Sequence, residues 1–325
     1  MANSSVAILS LPTIQEYLKT VDLIPLIEEG FVSYSSGKTV VPPVGELLFE
    51  NPPGETHIKY GYIKQQLYYV VKIASGFYEN SKLGLKSSQG LMLLFSQQTG
   101  ELLCVLLDEG YLTDIRTVIA SMITLKYLAP TKVDCVGIVG SGTQAKLQLE
   151  YLNQVCSCKN VMVWGRNQKS TMTFQKHFQN SNFNIKIASS LSELATTCNV
   201  IITTTPSHEP LLDFSQIRKG THITALGSDT SDKIELDPSI IKNADIVVSD
   251  SIPQSQSRGE VFQARKHQSL DDSKLLELGS LIQSPQLGRT NNKQITVADL
   301  TGVAVQDIMI ATAIFNHHKS LQNEH

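Results

Sequence analysis

Residues Asp134–Leu152, with the sequence DCVGIVGSGTQAKLQLEYL, carry the strongest structural signal in the chain. The apolar run 133–139 is typical of a strand buried in a parallel sheet, and helical spacing follows it. Between the two, Gly140, Gly142 and Ala145 form a GxGxxA turn. The first glycine permits the tight turn, the second lets backbone N–H groups approach a pyrophosphate, and the small third residue lets helix and strand pack closely. This context favours a dinucleotide site over an ordinary strand-to-helix turn.

Five further short runs rich in β-branched residues follow, mostly separated by helical or turn-like polar segments. They are Asn160–Trp164, Ile185–Ala188, Asn199–Thr203, His222–Leu226 and Asp245–Ser249. Together with the first strand they make six, the number that a complete doubly wound dinucleotide fold needs. We therefore predict an α/β protein with a Rossmann domain over residues 129–302.

Composition limits the remaining possibilities. A chain of 325 residues exceeds one average core, which predicts two lobes, and 41% hydrophobic residues are ample to form them. The net charge of -3 and the pI near 6.2 argue against nucleic acid as a partner, because phosphate contacts need a basic face.

The location is predicted to be cytoplasmic. The N-terminal residues lack the basic and apolar regions of a signal peptide, and no apolar run is long enough to span a bilayer. Five cysteines are an odd number, and Cys156 and Cys158 do not have zinc-like spacing. We expect reduced structural thiols and no metal site.

The first 128 residues predict an α+β lobe with a largely antiparallel sheet. An early helix is predicted over Thr13–Gly30, and strands around Tyr60–Ser75 and Gly90–Leu107. The sequence QQTG at 97–100 predicts a hairpin turn.

The C-terminal part of the chain is predicted to return to this lobe. A helix over Thr301–His318 is expected to pack on it, so the first domain comprises residues 1–128 and 303–325. The polar, interrupted segment Pro253–Asn292 is expected to run over the surface.

Lys72 lies within an apolar run, residues 67–74. In a strand it shares one face with Val70 and Ala74. Such a lysine either extends to the edge of the sheet or is buried, where desolvation lowers its pKa and makes it a usable acid or base. The pattern alone favours the first alternative and leaves a catalytic role open.

Arg116 follows Thr113 and Asp114, either of which can cap a helix with apolar residues at every third or fourth position. Arg116 would then lie in the first turn, where a cation opposes the helix dipole unless an anion binds nearby. One alternative is a surface arginine paired with Asp108 or Glu109. The other is a clamp that holds a carboxylate by two parallel hydrogen bonds.

Asp229 lies just beyond the predicted strand His222–Leu226. Doubly wound folds collect ligands and catalytic groups at this edge of the sheet. Asp229 is therefore either a cap of the following turn or a catalytic group.

These clusters together resemble the ornithine cyclodeaminase and μ-crystallin family over nearly the whole chain. The segments that carry the resemblance are KIASGFYEN from Lys72, LTDIRT at 112–117, GSGTQA at 140–145, GSDTSDKIELD at 227–237, Gly259-Glu260, and ITVADLTGVAVQD at 295–307. Their order and spacing are specific.

The resemblance implies a role for each matching residue. The family's essential lysine, which contacts the substrate carboxylate or reacting nitrogen, falls on Lys72, its carboxylate-binding arginine on Arg116, and its catalytic aspartate on Asp229. It also implies a homodimer formed through the non-Rossmann, substrate-binding lobe, with sheets joined across the dimer axis. For the cofactor we assign Gly140, Ser141, Gly142, Thr143, Gln144, Ala145, Arg166, Thr117 and Thr204.

The end of the second Rossmann strand bears on cofactor choice. NAD-specific sites usually place Asp or Glu there to bind the ribose 2′-OH, whereas this chain has Trp164-Gly165-Arg166-Asn167. Arg166 could instead meet a 2′-phosphate. The predicted cofactor is NAD(P)(H), with NADPH used at least as well as NADH.

The chain departs from the family pattern at three places. Val44 follows the Pro-Pro pair, where the family usually has a second carboxylate-binding arginine, and Ala298-Asp299-Leu300 replaces the frequent Phe-Lys-Ser. The acidic residue that cyclodeaminases use near the distal amine becomes Lys59, which shares a strand face with His57. We therefore add Lys59 and His57 to the substrate site, and ornithine cyclisation is disfavoured.

The predicted activity is NAD(P)H-dependent reduction of a small imino acid, or the reverse oxidation of an amino acid, with iminosuccinate-to-aspartate reduction as the best specific analogy. Arg116 would hold the α-carboxylate, Lys72 would tune substrate protonation, and Asp229 would act as acid/base partner or orient water. The rival functions are an ornithine cyclodeaminase and a non-enzymatic, μ-crystallin-like binder of NADPH or another ligand.

Overall fold

A computed structural model describes residues 6–323, with all their side chains except those of Tyr78 and Ser81. The strands are β1 (Ala7–Ser10), β2 (Thr39–Val40), β3 (Gly45–Glu50), β4 (Pro53–Ile63), β5 (Tyr68–Gly76), β6 (Ser88–Ser96), β7 (Leu102–Leu107), β8 (Val136–Val139), β9 (Asn160–Trp164), β10 (Asn184–Ile187), β11 (Val200–Thr203), β12 (His222–Ala225), β13 (Ile246–Ser249), β14 (Leu275–Glu277) and β15 (Thr296–Asp299). The helices are α1 (Leu11–Leu18), α2 (Leu23–Ser35), α3 (Tyr111–Leu128), α4 (Thr143–Leu152), α5 (Gln168–His177), α6 (Leu191–Thr197), α7 (Pro238–Asn243), α8 (Gly259–Lys266), α9 (Leu278–Gln283) and α10 (Ala304–Asn323). None of the described helices is both long and apolar enough to cross a membrane.

The chain forms two compact units. One comprises Met1–Arg116 and Val303–His325, and the other comprises Thr117–Gly302. The domain boundary predicted after residue 128 follows the end of α3, whereas this division falls within α3.

The sheet of the first unit has the order β1-β7-β6-β5-β4-β2, and β3 also pairs with β4. Among the described strands of this sheet only β1 pairs in parallel, so the predicted largely antiparallel sheet is confirmed. The predicted hairpin turn is present between β6 and β7, where the N–H of Gly100 donates to the carbonyl of Ser96. Gly100 has φ +75°, a conformation that favours glycine.

Helix α10 packs on one face of this sheet and against α2. The rings of Phe315 and Tyr68 meet edge to face at 5.4 Å. A Cβ on Gly30 would lie 2.7 Å from the side chain of Met309, so glycine allows α2 to approach closely. The prediction that this helix returns to the first lobe is therefore confirmed. The single early helix predicted over Thr13–Gly30 is wrong, because the chain turns between Leu18 and Leu23 and forms α1 and α2.

The second unit contains an eight-stranded sheet in the order β10-β9-β8-β11-β12-β15-β13-β14. Every described pairing in it is parallel. Strands β8 to β13 match the six predicted strands to within a few residues, and the Rossmann architecture is confirmed. Buried side chains from these strands, including Val139, Ile201, Ile223 and Val247, form one apolar core with residues of α6 and α7.

The sequence did not predict β14 and β15. Strand β15 lies between β12 and β13, and its four residues are buried, including the carboxyl of Asp299. The expectation that Pro253–Asn292 runs over the surface is also wrong in part. Helix α8 buries Glu260 and Val261, because the carboxyl of Glu260 accepts hydrogen bonds within the unit.

Candidate active site

Lys72 is buried on the face of β5 that α10 covers, with 1% of its surface exposed. Its Nζ donates to Asp307 Oδ1 at 3.1 Å and lies 3.0 Å from Oδ2. Burial, together with the charge of Arg116, lowers the pKa of Lys72 to about 8, although Asp307 and Asp108 oppose this shift. The alternative in which the lysine extends to the sheet edge is therefore wrong, and Lys72 is placed to exchange a proton near neutral pH.

Arg116 contacts the same carboxylate. Its Nε lies 3.3 Å from Asp307 Oδ1, and its Nη1 donates to Gln306 Oε1 at 3.3 Å. The side chain of Gln306 donates back to the carbonyl of Arg116 at 3.0 Å, so the two residues are joined by two hydrogen bonds. Two buried cations thus share the carboxylate of Asp307, and the surface pairing of Arg116 with Asp108 or Glu109 is not observed.

The predicted caps of α3 are wrong. The helix begins at Tyr111, and the N–H of Leu112 donates to Asp108 Oδ2 at 2.8 Å. Arg116 therefore lies in the second turn, so the dipole argument for a bound anion does not apply. Asp108 Oδ1 is buried without a hydrogen-bond partner among the described residues. Burial raises the pKa of Asp108, and the charge of Lys72 opposes that rise.

The strand register places Lys59 and His57 on the same face as Lys72. Lys59 is opposite Lys72 in the antiparallel pair of β4 and β5, and His57 is opposite Ala74. Both side chains are buried, and His57 Nε2 lies 3.1 Å from Glu46 Oε1 on β3. Directly opposite residues of such a pair have Cβ atoms about 4.5–5.5 Å apart, so the side chains of Lys59 and Lys72 start from neighbouring positions on one face of the sheet.

The first unit therefore combines Lys59, Lys72, Arg116, Asp108 and Asp307, three cations and two carboxyls. Like charges on adjacent strands destabilise a sheet unless counter-charges offset them. Asp307 lies in the family-like segment 295–307 but was not predicted as a site residue, because nothing in the helical pattern of α10 distinguishes it from an ordinary helical acid.

The glycine turn of the second unit has the geometry that a dinucleotide needs. Gly140 has φ +123°, and a Cβ there would overlap Thr204 Oγ1. Gly142 precedes α4, and a Cβ on it would meet nothing within 4 Å, so space is open in front of the helix start. Ala145 is fully buried where α4 packs on the sheet. The open helix N-terminus and its N–H groups fit a pyrophosphate.

The other predicted cofactor residues are placed as follows. The N–H and hydroxyl of Thr204 both donate to the carbonyl of Val139, at 2.9 and 3.1 Å, which fixes Thr204 beside the turn. Ser141, Thr143 and Gln144 belong to the turn and to the first residues of α4. Two further predicted residues lie outside it: Arg166 is exposed beyond β9, and Thr117 is half-buried on α3.

Asp229 lies in the loop after β12, and its carboxylate Oδ1 accepts from Lys233 Nζ at 2.8 Å. The Lys233 side chain is almost fully buried, while that of Asp229 is 35% exposed. Arg258 Nη1 donates to the backbone carbonyl of Asp229 at 3.1 Å. The loop thus presents a partly exposed carboxylate on a firmly held backbone.

Two buried carboxyls hold the remainder of this loop. Glu235 accepts from the hydroxyl of Thr203 at 2.7 Å and from the N–H groups of Thr205 and Gly227 at 2.6 and 2.8 Å. Glu260 accepts from the N–H of Glu235 at 2.7 Å. Burial raises the pKa of both carboxyls. The sequence did not predict a role for either residue, because no periodic pattern indicates that Glu235 in the loop or Glu260 in α8 is buried.

A fully parallel eight-stranded sheet with a glycine turn before α4 defines a dinucleotide-binding protein of the Rossmann class. Comparison with known proteins gives the family: the description Ornithine cyclodeaminase/mu-crystallin family matches residues 5–322. The chain belongs to this family, and the prediction of the family is confirmed.

Three relatives illustrate the range of the family. The chain is 36% identical over 297 residues to the uncharacterized cyclodeaminase y4tK of Sinorhizobium fredii, covering 90% of each chain. It is 29% identical over 300 residues to the iminosuccinate reductase of Paracoccus denitrificans, covering 92% of each chain. An archaeal alanine dehydrogenase dimer with bound NAD superposes with a TM-score of 0.89 at 29% identity, covering 98% of this chain and 97% of that chain. The predicted class, an oxidoreductase with a nicotinamide cofactor, agrees with the last two.

Proposed function

We propose that the protein is an NAD(P)H-dependent reductase of small imino acids. The observation that carries the proposal is the buried Lys72 ammonium, which shares the carboxylate of Asp307 with Arg116. A cation with a pKa of about 8 suits the transfer of a proton to nitrogen at neutral pH, and a guanidinium suits a substrate carboxylate.

The reaction consumes an imine, a reduced dinucleotide and a proton, and forms an amine and an oxidised dinucleotide. When bound at the glycine turn, the reduced nicotinamide supplies a hydride to the imino carbon. The Lys72 ammonium donates its proton to the imino nitrogen. Asp307 keeps the ammonium charged in spite of its burial, because its carboxylate favours the protonated form.

Arg116 is the proposed holder of the substrate α-carboxylate. Its Nε and Nη1 face Asp307 and Gln306, and Nη2 takes part in neither contact. Fixing the guanidinium on two buried partners preorganises it, so binding costs little side-chain entropy. Asp229, held by Lys233, is proposed to act as acid/base partner or to orient water.

Lys59 is the proposed determinant of the substrate. Its position opposite Lys72 adds a cation to the face of the sheet that carries Lys72. A cationic distal amine, as in ornithine, would be repelled there, and a second carboxylate would be attracted. We therefore favour a dicarboxylic imine such as iminosuccinate, which the name of the Paracoccus denitrificans relative also indicates.

NADPH is proposed to serve at least as well as NADH. The residues that end β9 and begin the next loop, Trp164 to Asn167, contain no carboxylate for the ribose 2′-OH. Arg166 is exposed and carries the charge that a 2′-phosphate needs. The archaeal relative has NAD bound, so the use of NADPH is proposed for this chain alone and not for that relative.

A homodimer and a cytoplasmic location complete the proposal. The face of the first-unit sheet opposite α10 carries partly exposed apolar side chains, among them Tyr60, Val71 and Phe95. Such a face suits a second copy, and the archaeal relative is a dimer. All five cysteines are free thiols, which fits a reducing compartment.

A substrate screen tests the function. Oxaloacetate, pyruvate and glyoxylate, each with ammonium, and a cyclic imine are supplied with NADPH or NADH, and absorbance of the reduced cofactor is followed. We expect fastest oxidation with oxaloacetate and ammonium, and no reaction with ornithine. Lys59→Glu should remove the preference for oxaloacetate while leaving the fold intact. Release of ammonia from ornithine without net cofactor reduction would instead identify a cyclodeaminase, and tight NADPH binding with no turnover of any imine would identify a binding protein.

A further inference from the structure

Two thiols of the second unit are in contact. Cys198 Sγ donates to Cys135 Sγ at 3.4 Å, and both cysteines are free. The sulfurs of a disulfide are about 2.05 Å apart, so these two atoms need to approach by only about 1.4 Å to form a bond. Rotation of the side chains covers such a distance when the backbone holds the two residues side by side.

The backbone holds Cys135 and Cys198 in this way. Cys135 directly precedes β8, and Cys198 directly follows α6. The N–H groups of Asn199 and Val200 donate to the carbonyl of Cys135 at 3.2 and 3.4 Å. Asn199 Oδ1 also accepts from the N–H of Asp134 at 2.9 Å. Hydrogen bonds next to both cysteines therefore fix the positions from which the sulfurs would move.

Glycine at position 137 allows α6 to lie this close to β8. A Cβ on Gly137 would lie 2.6 Å from Leu194 Cδ2 and 3.1 Å from Cys198 Sγ. A larger residue at this position would displace α6 and the cysteine that follows it. The contact between the two thiols thus depends on close packing of the helix on the sheet.

The two thiols differ in exposure and in acidity. Cys198 is fully buried, whereas Cys135 is half-buried. The hydrogen bond from Cys198 lowers the pKa of Cys135, and Arg218 and Lys186 add to this effect, although burial opposes it. Because the thiolate is the nucleophile in thiol–disulfide exchange, Cys135 is the sulfur that reacts first with a soluble reagent.

The other thiols lack this arrangement. Burial raises the pKa of Cys156 and of Cys158, and Cys158 Sγ donates to the carbonyl of Asn160 at 3.5 Å. Cys104 belongs to the first unit, and burial raises its pKa to about 12. All five cysteines lie within residues 6–323, and among them Cys135 alone combines a lowered pKa with a second thiol as its hydrogen-bond donor.

We propose that Cys135 and Cys198 are a reversible redox pair, which a small soluble disulfide such as oxidised glutathione converts to an intramolecular disulfide. The Cys135 thiolate attacks one sulfur of the reagent, so a mixed disulfide forms and one glutathione thiolate leaves. Cys198 then attacks the sulfur of Cys135, the mixed disulfide breaks and the second glutathione thiolate leaves. Each released thiolate takes up one proton, so the protein loses two electrons and two protons and the reagent gains them.

The first step also prepares Cys198 for the second. Its hydrogen bond to the Cys135 thiolate, together with burial, raises the pKa of Cys198. Formation of the mixed disulfide removes the charge of that thiolate, so the first of these two causes disappears. Cys198 is then easier to deprotonate at the moment when it has to attack.

The pair lies at the amino ends of the parallel strands β8 and β11. The glycine turn follows the carboxyl end of β8, at the opposite edge of the sheet. Disulfide formation at this edge needs no bound dinucleotide and no imine. Disulfides of cytosolic proteins are usually transient and catalytic or redox-sensing, which fits a pair that opens again on reduction.

Incubation of the folded, full-length protein with oxidised glutathione tests the proposal. Remaining thiols are blocked with iodoacetamide, and mass spectrometry of unreduced peptides maps every disulfide. We expect one intramolecular bond in the unmodified protein, between Cys135 and Cys198, and recovery of both thiols after treatment with dithiothreitol.

Three variants separate the roles of the two sulfurs. Cys198→Ser keeps a hydroxyl donor beside Cys135, so the mixed disulfide of Cys135 with glutathione should accumulate. Cys135→Ser should leave Cys198 reduced, because the buried thiol is not reached directly. The control is Cys156→Ser, which removes another half-buried thiol of the same unit and should form the bond as the unmodified protein does.

Three outcomes would overturn the proposal. They are an unmodified protein that keeps Cys135 and Cys198 reduced, a bond from Cys135 to Cys156 or Cys158, and loss of the expected bond in Cys156→Ser. The first two are decided by the unmodified protein, so they do not depend on the folding of any variant. Circular dichroism during the incubation must show the folded state, because an unfolded chain exchanges disulfides without this selectivity. Imine reduction is measured separately, and its failure would leave the redox pair unaffected.

Discussion

Replacing Asp307 by asparagine removes the charge that Lys72 and Arg116 share but keeps nearly the same shape. At the observed 3.0 Å from Lys72 Nζ, and with an effective dielectric constant of about 20, the lost attraction is about 5 kcal/mol. An opposite charge at such a distance shifts a pKa by about 1–3 units, since the surroundings compensate for part of the attraction. The pKa of Lys72 should therefore fall from about 8 to between about 5 and 7.

The assay is the pH profile of kcat/KM for imine reduction. Protonated Lys72 is the proposed proton donor, so activity is present below its pKa and is lost as pH rises through about 8. In Asp307→Asn the alkaline limb should move to lower pH by about 1–3 units, and activity at pH 8 should fall by roughly 5- to 500-fold. In the oxidative direction neutral Lys72 is required, so the acidic limb should move to lower pH by the same amount.

The control is Glu109→Gln, which removes an exposed carboxylate of the same unit that pairs with Lys86. Its pH profile should match that of the unmodified protein. Breaking a buried ion pair costs about 3–5 kcal/mol of stability, so circular dichroism and NADP+ affinity must show that Asp307→Asn is folded. A folded variant whose alkaline limb stays near pH 8 would refute the role of Asp307 and the assignment of the limb to Lys72.

Three further predictions concern other parts of the chain. Arg116→Ala should raise KM for the imino acid by about 10- to 100-fold, because the charge-assisted hydrogen bonds to the substrate carboxylate are lost. A change confined to kcat in steady-state kinetics would contradict the proposal that Arg116 holds this carboxylate. Gly140→Ala should lower the free energy of unfolding by about 1–3 kcal/mol and remove most of the dinucleotide affinity, because φ is +123° and the new Cβ would overlap Thr204. Thermal unfolding without and with NADP+ measures the stability and the affinity. Values equal to those of the unmodified protein would contradict the tight turn. Burial raises the pKa of Asp299 from 3.8 to about 7, so its stabilising contribution is complete below about pH 3.8 and is lost as pH rises through about 7. Asp299→Asn should flatten this decline in denaturant unfolding measured between about pH 5 and pH 8, and an equal decline in the variant would show that another group titrates.

The glycine turn and six of the Rossmann strands could be predicted because their signals are local. Gly140 and Gly142 are required by the backbone geometry of a turn a few residues long, and strands β8 to β13 are short apolar runs between polar segments. Strand β15 escaped prediction because four residues that include the acidic Asp299 do not form an apolar run. Strand β15 is buried because it pairs with β12 on one side and with β13 on the other.

The candidate site of the first unit depends on contacts that no local pattern contains. The partner of Lys72 is Asp307, 235 residues later in the chain. Whether a lysine in an apolar strand is buried therefore depends on where α10 packs, which the spacing around Lys72 does not encode. The cap of α3 shows the same limit at short range, because Thr113 and Asp108 are both chemically suitable and only the observed start at Tyr111 selects Asp108.

The most direct test of the central claim is the transfer of deuterium from NADPH deuterated on the transferring face of nicotinamide C4. Oxaloacetate and ammonium are the substrates, and mass spectrometry and NMR of the amino acid product locate the label. The account predicts one deuterium at the α-carbon of aspartate with the unmodified protein, and loss of turnover in Lys72→Met by about 100- to 10,000-fold with NADP+ affinity retained. Aspartate without deuterium at that carbon, or near-normal turnover by Lys72→Met, would contradict it.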